Sequence, residues 1–158
     1  MALTVRRADL SEASLVREVM LAAYSDLEGA LPVESGAHAE SLGDVVAEMS
    51  KGGAILAEDG VALGSARFMR EDASLYVGRV AVLPTHRRRG VASAMMRFLE
   101  GIARELVLPS LRVGVRESLP SNIRLYESLG YRTVSVDPHP RGPDRVFTMV
   151  KTIQSTDA

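Results

Sequence analysis

The spacing of apolar side chains along this chain changes period several times, and each change predicts an element boundary. Leu3 to Arg7 alternates as a strand does. Asp9 with Glu12 three residues on then reads as an N-cap with its reciprocal partner, and Val16, Met20, Ala23 and Leu27 fall on one face of a helix. Gly29 to Ala39, marked by Pro32 and Gly36, reads as a loop. Ser41 and Asp44 repeat the capping pattern before Val45, Val46 and Met49, and Gly52-Gly53 closes this second helix. The period then shortens to two. Ala54 to Ala57, Val61 to Arg70 and Ser74 to Leu83 read as an antiparallel meander, turned by Asp59-Gly60 and by Glu71-Asp72.

After Pro84 the helical period returns: Val91, Met95, Phe98, Leu99, Ile102 and Leu106 trace one face of a helix of about five turns. Leu111 to Val115 is strand-like. Pro120 opens a short helix through Ile123 and Leu129, with Gly130 placed for a left-handed C-cap. Tyr131 to Val136 and Arg145 to Thr152 complete the pattern as a hairpin. The order βααβββαβαββ contains one strand-helix-strand crossover, in its middle. The expected class is therefore α/β (α+β): one domain over 1–153, a mixed sheet of six to seven strands with a parallel pair at its centre, and about four helices. Residues 154–158 are expected to form a disordered tail.

Composition narrows the chemistry. The 158 residues are 46% apolar and 25% charged, ordinary globular usage, and no apolar run approaches the ~20 residues that span a bilayer. The first residues enter a strand without a signal-peptide pattern, so a cytoplasmic location and no membrane partner are expected. Cysteine is absent, which removes disulfides, thiolate metal sites and a cysteine nucleophile. His38-Ala39-Glu40 matches a fragment of a zinc-deaminase signature whose cysteine partners do not exist here, so no metal is expected.

The net charge of −1 conceals an asymmetry: 1–83 holds seven Arg and Lys against thirteen Asp and Glu, whereas 84–145 holds eleven Arg against six. An anionic ligand is expected on the second half and a cationic one near the first.

The most informative stretch is Val80 to Ser93, an apolar strand ending in Val82-Leu83-Pro84 that runs through Arg87-Arg88-Arg89-Gly90 into the long helix. A helix N-terminus presents unpaired amides and about half a positive charge, which suits a pyrophosphate. Gly90 leaves the backbone approachable, and guanidinium groups match paired oxygens. A solvated charged face or a nucleic-acid patch would also accommodate three arginines; 4% aromatic content and net acidity argue against nucleic acid.

Arg87-Arg88-Arg89-Gly90-Val91-Ala92 resembles the Arg/Gln-x-x-Gly-x-Gly/Ala signature of the GCN5-related N-acetyltransferase (GNAT) superfamily, and Asn122 to Tyr131 resembles a second segment of that family. The likeness follows the order of elements from about Leu56 to Val150. It implies the acyl-CoA N-acyltransferase fold and transfer of acetyl from acetyl-coenzyme A to a primary amine of a small molecule or peptide. By the same resemblance, the backbone of Val80, Ala81 and Val82 would hold the pantetheine arm, and amides from Arg87 or Arg88 through Arg89, Gly90, Val91 and Ala92 to Ser93 the pyrophosphate. Tyr126 would donate a proton to the departing thiolate; packing under the sheet is its bland alternative. Asn122 stands four residues before Tyr126, whereas the family's pantetheine-touching asparagine stands seven before, where this chain has Leu119. Ligand contact and a local role at a helix start both fit Asn122.

The glutamate that many relatives carry on the strand before the phosphate turn is missing from Tyr76-Val77-Gly78-Arg79-Val80. Glu71, Asp72, Glu117 and His139 remain as candidate bases, acting directly or through water. With no cysteine and no Gly-x-Ser-x-Gly elbow, direct attack in a ternary complex is expected. A catalytically weak acyl-coenzyme A sensor is the alternative. The acceptor is expected between the Gly29–Ala39 and Asp137–Asp144 loops, as a cationic small amine or a peptide α-amine, and a homodimer stays open.

Overall fold

The computed structural model describes residues 2–153; the expected disordered tail at 154–158 lies outside the described residues. The strands are β1 (Thr4–Arg7), β2 (Gly53–Asp59), β3 (Val61–Glu71), β4 (Ser74–Val82), β5 (Ser110–Arg116), β6 (Arg132–Pro138) and β7 (Arg145–Thr152). The helices are α1 (Ala13–Tyr24), α2 (Leu42–Lys51), α3 (Val91–Glu105) and α4 (Pro120–Ser128). All seven strands join one sheet in the order β1-β2-β3-β4-β5-β7-β6, in which β4 and β5 run parallel and every other pair antiparallel. This is the mixed sheet with a central parallel pair that the element order predicts.

Local chemistry sets the helix ends. Ser41 Oγ accepts the Asp44 amide at 3.1 Å while Asp44 Oδ2 accepts the Ser41 amide at 2.9 Å, the reciprocal cap expected for α2. At Asp9, Glu12 Oε1 accepts the Asp9 amide at 2.9 Å, but the first turn is a 3-10 turn over Leu10–Glu12, so α1 starts at Ala13. It also ends before Leu27. Ser25 Oγ donates to Ala22 O at 2.8 Å and Arg87 Nη2 to Ala23 O at 2.5 Å, satisfying terminal carbonyls that a longer helix would have used. Leu27 sits instead in a 3-10 turn, Ser25–Leu27.

The sheet is covered on both faces. Alternate residues of β2 divide between them: Ile55 and Ala57 pack with Met95, Met96, Leu99 and Ile102 of α3, while Ala54 and Leu56 pack with Val16 of α1 and Val45 and Met49 of α2. Of the α3 face read from sequence, Phe98 is half-buried and Leu106 exposed, while Met96 and Ala103 are buried. No helix of the described residues is long and apolar enough to cross a membrane.

Two features of β4 position the site. Its pairing with β5 covers only Ser74–Val77 against Ser110–Val113, so the two parallel strands part after Val77. On its other edge, Gly78 pairs with Arg67 and Ala81 with Ser65, which leaves Arg79 and Val80 opposite Ala66 alone. This is a β-bulge, with Arg79 in the left-handed region at φ 51°. A bulge adds local twist and bends the strand, and here it turns the second half of β4 away from β5.

Leu99 is fully buried between α3 and the sheet. Leu99→Ala should lower the unfolding free energy by about 2–5 kcal/mol in urea denaturation, with the m-value unchanged.

Candidate active site

The opening between β4 and β5 leads into a cleft of about 540 Å³ floored by β4 and closed by the start of α3 and by α4. Val80, Val82, Arg87, Arg88, Gly90, Val91, Ala92, Ser93, Asn122 and Tyr126 all line it. Two of the residues picked from sequence do not. Ala81 points to the opposite face, buried against Met20, Ala23 and Ala37, and Arg89 lies outside the lining.

The main chain along the open edge of β4 follows from strand alternation. Leu83 N–H donates to Leu63 O at 2.9 Å on the β3 side, so the groups of Val82 and Val80 turn to the open side. There Tyr24 OH donates to Val80 O at 2.7 Å and Arg87 Nε to Val82 O at 3.2 Å. Each carbonyl keeps a second lone pair. Tyr24 lies at the last turn of α1, where the local pattern reads only as an apolar face; its placement in the cleft comes from the packing of α1 on β4.

At the start of α3, Arg88 at φ 62° and Gly90 at φ 78° are both left-handed. Successive amides in such a turn converge, as in a nest. No side chain caps the helix, and Ala94 N–H donates to Gly90 O at 3.0 Å, leaving the amides of Val91, Ala92 and Ser93 without helical acceptors at the cleft wall. The three arginines divide their work. Arg87 donates to Asp26 Oδ2 at 2.6 Å as well as to Ala23 O, so its guanidinium fastens the turn to the end of α1 and is not free for a ligand. Its hydrogen bond holds the Asp26 carboxyl below the usual carboxylate range. Arg88 and Arg89 make no ion pair with described residues and leave their charge beside the amides.

Tyr126 is 6% exposed, and its ring meets Tyr131 edge-on at 5.4 Å between centroids. Its hydroxyl makes no hydrogen bond with the described residues, and burial drives its pKa far upward. It is therefore a neutral phenol at physiological pH, able to donate and not to accept a proton as a base. Burial likewise pushes Tyr24 up to about 12. Leu119 and Asn122 both line the cleft, and Asn122 N–H donates to Leu119 O at 3.0 Å, one helical turn of α4.

A second, smaller cleft of about 160 Å³ opens from the same point, sharing Tyr24, Val80, Asn122 and Tyr126 with the first and continuing past Arg79, Ser35 and Arg116. The two long loops meet over it: Arg141 Nη2 donates to Glu34 O at 3.0 Å, and a Cβ on Gly142 would lie 2.9 Å from Val33 Cγ2. None of Glu71, Asp72, Glu117 or His139 lines either cleft. Glu71 is ion-paired with Arg112 and Glu117 with Arg145, while Asp72 forms the β3–β4 turn at φ 54°. Half-buried Glu40 holds Arg79, a residue of the smaller cleft, at the bulge. It accepts Arg67 Nη2 at 2.9 Å and Arg79 Nε at 2.5 Å. Burial alone would raise its pKa; the Arg67 hydrogen bond and the charges of both arginines more than offset that and hold it low. Nothing in the local sequence of Glu40, Arg67 or Arg79, on three separate elements, announces that they meet.

A family model described as the acetyltransferase (GNAT) family matches residues 18–131. Solved structures share the fold. The PaiA N-acetyltransferase of Thermoplasma acidophilum, in complex with coenzyme A, superposes with a TM-score of 0.81 at 13% identity, over 97% of this chain and 100% of that one. Ard1 from Thermoplasma volcanium gives 0.80 at 19% identity, over 98% and 100%. YncA from Salmonella typhimurium, with acetyl-CoA, gives 0.76 at 19% identity, over 100% and 98%. A search of curated proteins returned no match.

A Cβ at Gly90 or at Gly101 would meet no atom within 4 Å, so sterics do not separate them, but Gly90 has φ +78° and Gly101 lies within α3. Gly90→Ala should destabilise by about 1–2 kcal/mol through the left-handed backbone. Gly101→Ala should stabilise by about 0.4–1 kcal/mol through the unfolded chain. Chemical denaturation of the two variants checks the opposite signs.

Proposed function

The chain belongs to the acetyltransferase (GNAT) family, and on that premise we propose that it moves the acetyl group of acetyl-coenzyme A to a primary amine of a small molecule or peptide by direct attack in a ternary complex. One observation carries the reading: the uncapped start of α3, the open edge of β4 and Tyr126 all line one cleft.

The residues present fit the coenzyme. The amides from Arg88 to Ser93, with the free charge of Arg88 and Arg89, offer what a pyrophosphate needs. The outward groups of Val80 and Val82 can pair with the amides of an extended pantetheine arm as an added strand would, and Asn122 stands across from them. Acetyl-coenzyme A supplies an activated acyl group as a thioester. The main-chain N–H at Val82 is placed to polarise its carbonyl in the manner of an oxyanion hole. As the amine nitrogen bonds to that carbon and the carbon–sulfur bond breaks, Tyr126 donates its proton to the leaving sulfur. Burial keeps the phenol protonated, so its proton is present for donation and it is excluded as the base. The amine's own proton passes to water, since none of the candidate bases lines the cleft, and a proton from water restores the phenol of Tyr126.

That last observation also favours a second reading, an acyl-coenzyme A sensor with little turnover. Release of free thiol with any amine at a steady rate excludes it.

Coenzyme at a hundred times its dissociation constant should raise stability by about 2.7 kcal/mol in a thermal-shift measurement; no shift overturns the proposal. Tyr126→Phe should lower kcat by about 10- to 10⁴-fold with coenzyme affinity retained, whereas a rate within about twofold of the parent removes the acid role. Because the phenol titrates far above neutrality, kcat should show no fall between pH 7 and about pH 9.5 from loss of this acid.

A further inference from the structure

The acceptor end of the site is built from arginine. The smaller cleft is lined by Arg79 and Arg116 and, among the described residues, by no carboxylate. Arg79 is fixed by the strained bulge at φ 51° and by Glu40, which takes only its Nε; its two terminal nitrogens have no acceptor among the described residues. One of them faces the loop that closes the cleft: the point a Gly36 Cβ would occupy lies 3.0 Å from Arg79 Nη2 and 3.7 Å from Arg141 Nη2. Arg116 donates to the carbonyls of Val33 and Glu34, and Arg141 to that of Glu34. Three guanidinium groups therefore gather on one short loop.

The neighbouring carboxylates are already engaged. Asp144 accepts Ser118 Oγ at 2.6 Å and lies 3.7 Å from Arg116, Glu34 Oε1 accepts the Gly29 amide at 2.7 Å, and Glu40 is shared between two arginines. A guanidinium held by a carboxylate through Nε presents its two terminal nitrogens as a preformed fork for a second oxyanion.

We propose that the acceptor is an amine carrying an oxyanion group, carboxylate or phosphate, a few bonds from its nitrogen, and that the terminal nitrogens of Arg79 bind that group. The inference rests on the acetyl-transfer reading above and replaces the cationic acceptor expected from the acidic first half of the chain. Arg79 sits beside Val80, which lines both clefts, so an anion on its fork places a nearby amine at the junction where Tyr126 stands. The same positive field disfavours an ammonium ion and lowers its pKa, which helps to supply the neutral nucleophile where no base is present. The cleft is smaller than the ~300–1,000 Å³ of sites for drug-sized ligands, which favours a compact amino acid or aminoalkyl phosphate.

The test compares matched pairs: the common L-amino acids against their carboxamides, and aminoethyl phosphate against ethanolamine, with kcat/KM expressed per unit of free-base amine. The oxyanion-bearing member of at least one pair should be preferred by about 10- to 100-fold. Arg79→Asn, whose side chain tolerates the left-handed backbone, should reduce that preference to about twofold or less while coenzyme still stabilises the protein. Arg141→Gln, on the exposed loop, should reduce it partially and serves if Arg79→Asn does not fold. A binding arm needs no turnover: with coenzyme A saturating, N-acetyl amino acids should raise the melting temperature and their carboxamides should not. Equal kcat/KM within every pair, or equal shifts from acid and amide, overturns the oxyanion proposal. Absence of turnover with every amine, alongside a selective shift from the acids, would instead remove the transfer reading and keep the oxyanion site.

Discussion

The bulge at Arg79 and Val80 is the constraint on which the site depends. A strand that continued regularly past Val77 would keep pairing with β5 and would close the sheet where the cleft now opens. Two residues opposite Ala66 instead force extra twist into β4 and send its second half away from its parallel neighbour. A left-handed non-glycine residue costs about 1–3 kcal/mol and persists only where its surroundings hold it. Here the hold is electrostatic. Glu40, at the end of the loop before α2, takes the Arg79 Nε and at the same time pairs with Arg67, which is 3% exposed on the neighbouring strand. Arg17 adds a bond from its Nε to Glu40 O at 3.0 Å, so α1, β3, β4 and the loop are tied at one residue. Such a cluster contributes little net stability against an apolar replacement, but removing one partner strands a buried charge.

A second tie sets the polarity of the site. The C-terminal end of α1 and the N-terminal end of α3 face the same turn with opposite partial charges. Arg87 answers the first through Ala23 O and Asp26, while the second has no side-chain cap among the described residues. One arginine of the signature thus completes the fold, while the next two make no ion pair with described residues. The same division recurs at the far end, where Arg116 and Arg141 fasten the loop and Arg79 keeps its fork open.

The electrostatics bear on the reaction as a whole. The turn before α3, the loop over the smaller cleft and the bulge all present guanidinium groups, and the carboxylates close to them, Asp26, Asp144 and Glu40, each pair with one of these arginines. On the proposed reading, a site of this kind would recruit anionic groups and lower the proton affinity of an amine beside them. The absence of a glutamate from β4 is then part of the same design as the arginine that occupies the strand.

Much of this was legible from residue order. The capping pairs at Asp9–Glu12 and Ser41–Asp44, the meander, the amphipathic α3 and the phosphate turn follow from spacing and side-chain chemistry within a few residues, which is the range over which the chain acts on itself. The family likeness rested on two such local segments. Tertiary structure alone decided what depends on residues far apart: that Ala81 faces the opposite side of the sheet from the cleft, that Arg87 belongs to α1, that Tyr24 meets Val80, and that Glu40, Arg67 and Arg79 form one cluster. Spacing along a strand or helix fixes which side chains share a face, but the partner across the gap is chosen by packing, and in this protein packing brought Arg79 and Arg116 to the smaller cleft.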